Sequence, residues 1–116
     1  MSDKPLMWVG TSRRDVRAFP RAAKRMAGFQ LRRVQIGLEP TDWKPLATVG
    51  PGVREIRIHT ATEHRVLYLA KFAEAIYVLH GFEKRTRTTA KRDIELARER
   101  FTALLIWRRE NTKSRK

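Results

Sequence analysis

The 116-residue chain contains no cysteine, which excludes a disulfide framework and a thiolate zinc site. No apolar run approaches the roughly 18 residues that a membrane-spanning helix needs, and MSDKPLMWVG at the N-terminus carries too short an apolar stretch for a secretory signal. A soluble, cytoplasmic protein without a membrane partner is therefore expected. P-loop, dinucleotide glycine fingerprint and metal-ligand spacing of His and carboxylates are also missing, so neither a metal nor a cofactor is expected. Acidic residues are scarce as well. Only 12 Asp and Glu stand against 26 Lys and Arg, leaving a net charge of +14. An excess of this size calls for a polyanionic partner, and nucleic acid is the commonest one.

A chain this long needs only one hydrophobic core. A single domain over residues 1–110 followed by a basic tail at 111–116 is the expected organisation. Leu6 to Val9, stopped by Gly10, reads as a strand that joins a later sheet. Ser12 is placed to cap a short helical turn reaching Phe19, with Asp15 as its acidic counterpart. Pro20 suits the first turn of a second helix, on which Ala23, Ala27, Leu31, Val34 and Leu38 form one apolar stripe with Met26 beside them. Arg21, Lys24, Arg25, Arg32 and Arg33 make its solvated face. The segment 38–52, LEPTDWKPLATVGPG, holds three of the five prolines and two of the six glycines and reads as a loop, with Trp43 pinning it to the core. A last amphipathic helix is expected from about Thr89 to Arg109, its stripe made by Ile94, Ala97, Phe101, Leu104 and Leu105.

The most informative stretch lies between. Val53–Ile58, His64–Lys71 and Ala75–Gly81 are rich in β-branched and aromatic residues and are separated by short polar stretches, the pattern of an antiparallel meander. Alternation puts Ile56 and Ile58 on one face, toward the helices, and Val53, Glu55 and Arg57 on the other. With the first hairpin centred on Ala61, Arg57 lies directly across from Arg65. Like charges so placed repel, and an anion held between two guanidinium forks relieves that repulsion. A two-residue turn at Ala73-Glu74 would pair Leu67 with His80 and add His80, Phe82 and Lys84 to the same face. Glu55, Arg57, Arg65, His80 and Lys84 would then line one concave surface, flanked by Arg54, Lys71, Arg85 and Arg87 as further RNA-binding cations. His59 and His64 are competing titratable groups, and a hydrogen-bonded core histidine is an equal reading of His80. RNA makes metal-free chemistry accessible, because its 2′-hydroxyl can attack the adjacent phosphate while cations stabilise the developing charge.

The order strand, helix, helix, three strands, helix, together with REIRI, HRVLYLAKF and LHGFEKRT followed by KRDIELARER, resembles the RelE/HigB toxin superfamily and, within it, the phage-derived HigB-like branch. The similarity runs from Trp8 to Leu105. It implies an α+β microfold, β-α-α-β-β-β-α, with a four-stranded antiparallel sheet packed on helices, and a helix-turn-helix antitoxin as partner. It further implies ribosome-dependent mRNA cleavage without a metal, leaving a 2′,3′-cyclic phosphate and a 5′-hydroxyl. By the resemblance, Arg65 matches the strand arginine of the family, Arg57 the basic position on the preceding strand, and Lys84 or Arg85 the basic residue after the last strand. Glu55 stands where RelE-type toxins carry a second strand lysine, and no tyrosine follows Tyr77. The general base is thus open among His80, His59, His64 and Glu55. A ParE-like gyrase inhibitor and a non-enzymatic RNA-binding protein are the alternative functions.

Overall fold

The computed structural model describes residues 3–113, with side chains through Asn111. The elements are β1 (Leu6–Trp8), α1 (Ser12–Arg17), α2 (Arg21–Gln35), β2 (Trp43–Pro45), β3 (Val53–His59), β4 (Glu63–Leu69), β5 (Ile76–Glu83) and α3 (Lys91–Lys113). They form a mixed α+β fold around one five-stranded sheet of order β1-β5-β4-β3-β2. Two features depart from the expected four-stranded antiparallel sheet. β1 pairs with β5 in parallel, and part of the Pro-rich loop becomes an edge strand, β2, antiparallel to β3. Pro45 is tolerated there because an edge strand needs partners on one side only.

Both faces of the sheet are covered. On one, Val16 and Phe19 around α1 and Ala23, Ala27, Leu31 and Val34 of α2 pack on Ile56, Ile58, Val66, Tyr68, Ile76 and Val78. On the other, Ala97, Phe101 and Leu104 of α3 pack on Val53, Leu67, Leu69, Tyr77, Leu79 and Phe82. A sheet sandwiched in this way buries both alternating sets of side chains, and every residue of β4 from His64 to Leu69 is buried. The same demand explains why β4 and β5 contain the continuous apolar runs Val66–Leu69 and Ile76–Leu79.

Details differ from the sequence reading for local reasons. Ser12 lies inside α1, where its hydroxyl donates to the Val78 carbonyl at 2.9 Å and ties the helix to β5 instead of capping it. Thr11 occupies the cap position and Pro20 the position before α2. Gly37, at φ +89°, turns the chain away from α2, so Leu38 leaves the apolar stripe and is exposed, as are Met26 and Leu105. α3 begins at Lys91 and runs through Lys113, taking in the first residues of the expected basic tail; residues 114–116 lie outside the described part.

The hairpin registers decide what shares a face. Arg57 pairs with Arg65 across β3 and β4. Leu67 pairs with His80, but Tyr68 pairs with Val78 and Leu69 with Tyr77. The loop after β4 is thus longer than a two-residue turn, and Leu79 is the extra residue of a bulge that restores the register. Leu79 and His80 consequently both belong to the α3 side of the sheet.

Candidate functional site

A cleft of about 460 Å³ opens on the α3 side, at the end of the sheet where β2, β3 and β4 meet the loop before α3. Lys44, Glu55, Arg57, Arg65, Lys84, Arg87 and Arg98 supply its polar lining, and Leu46 and Ile94 its apolar part. Strand alternation delivers Glu55 and Arg57 from β3, and the observed register delivers Arg65 opposite Arg57. The Arg98 Nε–H donates to the Thr48 carbonyl at 2.6 Å and joins α3 to the far wall. Lys84 Nζ donates to the carbonyls of Thr86 at 3.0 Å and Arg87 at 2.7 Å, fixing the loop at the mouth.

The floor carries charge that the protein does not satisfy. Glu55 is 1% exposed and Arg65 4%. Arg65 Nη1 donates to the His64 carbonyl at 2.9 Å and to Glu63 Oε1 at 3.0 Å, while its Nε lies 3.9 Å from Glu55 Oε1. Lys44 Nζ is 3.8 Å from the same oxygen. Glu55 Oε2, Arg57 Nε and Arg65 Nε are buried without a hydrogen-bond partner. Unsatisfied buried charged groups are costly, and three converging on one cleft mark a place built for a ligand that presents both an acceptor and a donor.

His80 is on the expected face but not in this cleft. Its Nε2 is 2.8 Å from Asp93 Oδ1, its ring stacks on Phe82 with centroids 5.0 Å apart, and its Nδ1 lies 3.5 Å from Arg100 Nη1 and 3.9 Å from Asp15 Oδ2. Arg100 in turn donates to the Leu79 carbonyl at 2.8 Å and the Thr11 hydroxyl at 2.7 Å. This network lines a separate cavity with Leu96 and Arg100 of α3, whereas the cleft has Ile94 and Arg98. The two pairs sit on opposite flanks of the helix, and α3 divides the surface that strand parity alone makes continuous.

The other histidines are elsewhere too. His64 packs against Phe19 at 4.4 Å on the α1 side, and burial pushes its pKa down. His59 is exposed at the hairpin end, 2.6 Å from Asp42 and 2.8 Å from Glu63. Its hydrogen bonds to the Asp42 carboxylate, then to that of Glu63, raise its pKa. Of the four proposed proton acceptors, only Glu55 shares the cleft with the cations. Among the further cations, Arg87 lines the cleft, and Arg85 is solvated beside Glu83 at 3.2 Å. Arg54 and Lys71 line a different cavity, Arg54 through the opposite parity of β3. Among the described residues, no group of three or more His, Cys, Asp or Glu is arranged to hold a metal, and no helix is long and apolar enough to cross a membrane.

Sequence reasoning missed Lys44 and Arg98. Lys44 was hidden by its two nearby prolines, which disguise the edge strand. Arg98 was visible as a charged residue one turn after Ile94, next to the apolar stripe of α3.

An α+β domain with a five-stranded sheet between helices and a cationic cleft holding a buried carboxylate is the class that fold and geometry define. The chain belongs to the family described as phage-derived Gp49-like proteins (DUF891), which matches residues 14–102 and so takes in every polar residue of the cleft. This family is part of the RelE/HigB-like toxin clan, a toxin-like group related to the toxins of toxin–antitoxin systems, and it implies an antitoxin partner. A search of curated proteins returns no match.

Proposed function

We propose that the protein is the toxin of a type II toxin–antitoxin system, an endoribonuclease that cleaves mRNA on the ribosome through attack by the RNA's own 2′-hydroxyl. The observation that carries this reading is the convergence of Arg57, Arg65 and Lys84 on a cleft whose floor is the Glu55 carboxylate, with one oxygen facing Lys44 and Arg65 and the other, Oε2, buried without a hydrogen-bond partner. Family membership supports the toxin part of the reading; the chemistry rests on the cleft.

In this reading the scissile phosphate lies between the Arg57 and Arg65 forks, which relieves their mutual repulsion and supplies acceptors for the unpartnered Nε–H groups. Glu55 Oε2 takes the proton of the 2′-hydroxyl. The 2′-oxygen forms a bond to phosphorus while the bond to the 5′-oxygen breaks, and the departing oxygen receives a proton from Lys84 at the mouth. The products are a 2′,3′-cyclic phosphate and a 5′-hydroxyl. Negative charge grows on the non-bridging oxygens during the displacement, and fixed cations in a water-poor cleft stabilise it more than they stabilise the ground state. The partner that silences this activity would be a helix-turn-helix antitoxin, with an acidic segment covering the cations of the cleft.

Primer-extension mapping of cellular mRNA after brief induction tests the proposal. Discrete cleavage sites are expected with the wild type and none with Glu55→Gln. Intact mRNA together with arrested DNA gyrase would replace this reading by a gyrase-inhibitor function.

A further inference from the structure

A second cavity, of about 320 Å³, lies on the α2 side of the sheet and is lined by Lys4, Gly37, Glu39, Arg54, Tyr68 and Lys71 among others. It stands back to back with the cleft, since Arg54 and Glu55 are consecutive residues of β3 and point to opposite faces. Its wall includes Tyr68, which is 0% exposed and whose hydroxyl has no hydrogen-bond partner. Burial raises the pKa of Tyr68, an effect that Arg54, which approaches the hydroxyl oxygen as a donor and adds its charge, only partly offsets, so the hydroxyl keeps its proton and that proton has no acceptor. Arginine has no acceptor to offer. Glu39 accepts from Arg54 at this corner, but nothing accepts from the Tyr68 hydroxyl, and an anion oxygen is a group that answers the hydroxyl while pairing with the guanidinium.

The surroundings fit such a ligand. The α2 carbonyls at this end are already engaged: Arg32, Arg33 and Val34 accept from the backbone N–H groups of Ile36, Leu38 and Gly37, and Gln35 accepts from Lys4. They therefore place no demand on the lysine side chains; Lys4 Nζ donates to the Ala70 carbonyl at 2.6 Å, a bond that uses one of the three donors of an ammonium and holds it at the cavity wall. Gly52, at φ +84°, lets the Lys71 stem lie against the backbone, where a Cβ would come within 2.7 Å of Lys71 Cδ. The Arg54 guanidinium carbon lies over Trp43, 4.1 Å from the ring centroid, and its pairing with Glu39 at 2.8 Å is between partly exposed side chains. Such a pair contributes little and exchanges readily for a phosphate. A cation stacked on a half-buried tryptophan beside further lysines is the pairing of charge and aromatic surface that single-stranded nucleic acid uses. This favours a phosphodiester over the carboxylates of an acidic peptide.

We infer that the Lys4–Arg54–Tyr68–Lys71 cavity is a second phosphate-binding subsite for single-stranded RNA, reached from the cleft across the three-residue edge strand β2. Only the RNA path rests on the reading of the cleft; the subsite stands on its own residues.

The test compares wild type, the double variant Arg54→Gln/Lys71→Gln, Tyr68→Phe and Arg65→Gln. The probe is a 2′-O-methyl single-stranded RNA of about a dozen nucleotides, with the matching tetranucleotide and a poly-glutamate peptide as controls. Fluorescence anisotropy across a salt series should show the double variant losing about 1.4 from the salt slope for the longer RNA, the share of two phosphate contacts on a single strand. Binding of the tetranucleotide should change less. Tyr68→Phe should melt no lower than wild type when free and should gain less melting temperature from added RNA. Unchanged RNA affinity and slope in the double variant would overturn the inference, as would loss of poly-glutamate binding alone. Arg65→Gln separates the two sites: if it cleaves ribosome-bound mRNA like wild type while the double variant loses RNA affinity, the cleft reading fails and the subsite stands.

Discussion

Two clusters of charged side chains lie on the α3 side of the sheet, one on each flank of that helix, and they are finished differently. Around His80 the interactions close on one another: Asp93 meets one ring nitrogen, Arg100 spans from the Leu79 carbonyl to Thr11, and Asp15 lies beside both. Around Glu55 they do not close, and a carboxylate oxygen and two guanidinium nitrogens are buried without partners. A satisfied network fastens α3 and α1 to the end of β5 and adds to cohesion. An unsatisfied one lowers stability and is retained where a ligand completes it. On the proposed reading the difference separates a structural polar cluster from a functional one, although both are largely buried and on the same face.

Substitutions on the two flanks should therefore have opposite signatures. The largest effect is expected from Glu55→Gln, which removes the proton acceptor but keeps the shape; cleavage should fall by roughly 10²- to 10⁴-fold, with the unfolding midpoint changed by a few degrees at most. Arg65→Ala should slow cleavage by roughly 10²- to 10³-fold. On the other flank, His80→Ala leaves the partly buried Asp93 without its partner and should cost about 2 kcal/mol, a fall in melting temperature of roughly 10 °C for a domain of this size. Its cleavage per folded molecule should stay near wild type. Equal losses of stability on both flanks, measured by thermal unfolding beside single-turnover cleavage, would erase the distinction.

The smallest effect sharpens the comparison through pH. Glu74 is held by Arg108 Nε at 2.6 Å and accepts the Tyr77 hydroxyl at 2.7 Å. The Arg108 hydrogen bond is the main cause that brings its pKa from 4.5 to about 2. A depressed carboxylate contributes stability that is present above its unfolded pKa and is lost as pH falls through the folded one. The group is 42% exposed, so solvent screening holds the contribution to under about 1 kcal/mol. Glu74→Gln should lower the melting temperature slightly at pH 7, and the gap to wild type should narrow between pH 4.5 and about 2. A gap that stays constant through that range would show that the pair adds nothing. Cleavage should be unaffected, since Glu74 lies outside the cleft.

Much of the central architecture was legible because alternation has a period of two and the hairpin around Ala61 is short, so Arg57 opposite Arg65 followed from spacing alone. The Leu67–His80 pair was reached with a two-residue turn where the connection has six residues, 70–75, and the bulge at Leu79 shifted the register by the one residue that brings the pair about. Strand β2 was not legible because Trp43-Lys44-Pro45 gets its extended form from pairing with β3, against a local composition that signals a loop. The separation of His80 from Glu55 was hidden for another reason. Strand parity fixes a face but not what crosses it, and the path of α3 over that face is set by Ala97, Phe101 and Leu104 packing on the sheet.

The most direct test pairs two observables on two variants: the melting temperature and single-turnover cleavage of ribosome-bound mRNA, for Arg65→Ala and His80→Ala. The account predicts that Arg65→Ala loses roughly 10²- to 10³-fold in rate while its melting temperature falls less than that of His80→Ala, which keeps its rate. Wild-type cleavage by Arg65→Ala, or a loss of rate by folded His80→Ala as deep as that of Arg65→Ala, would contradict it.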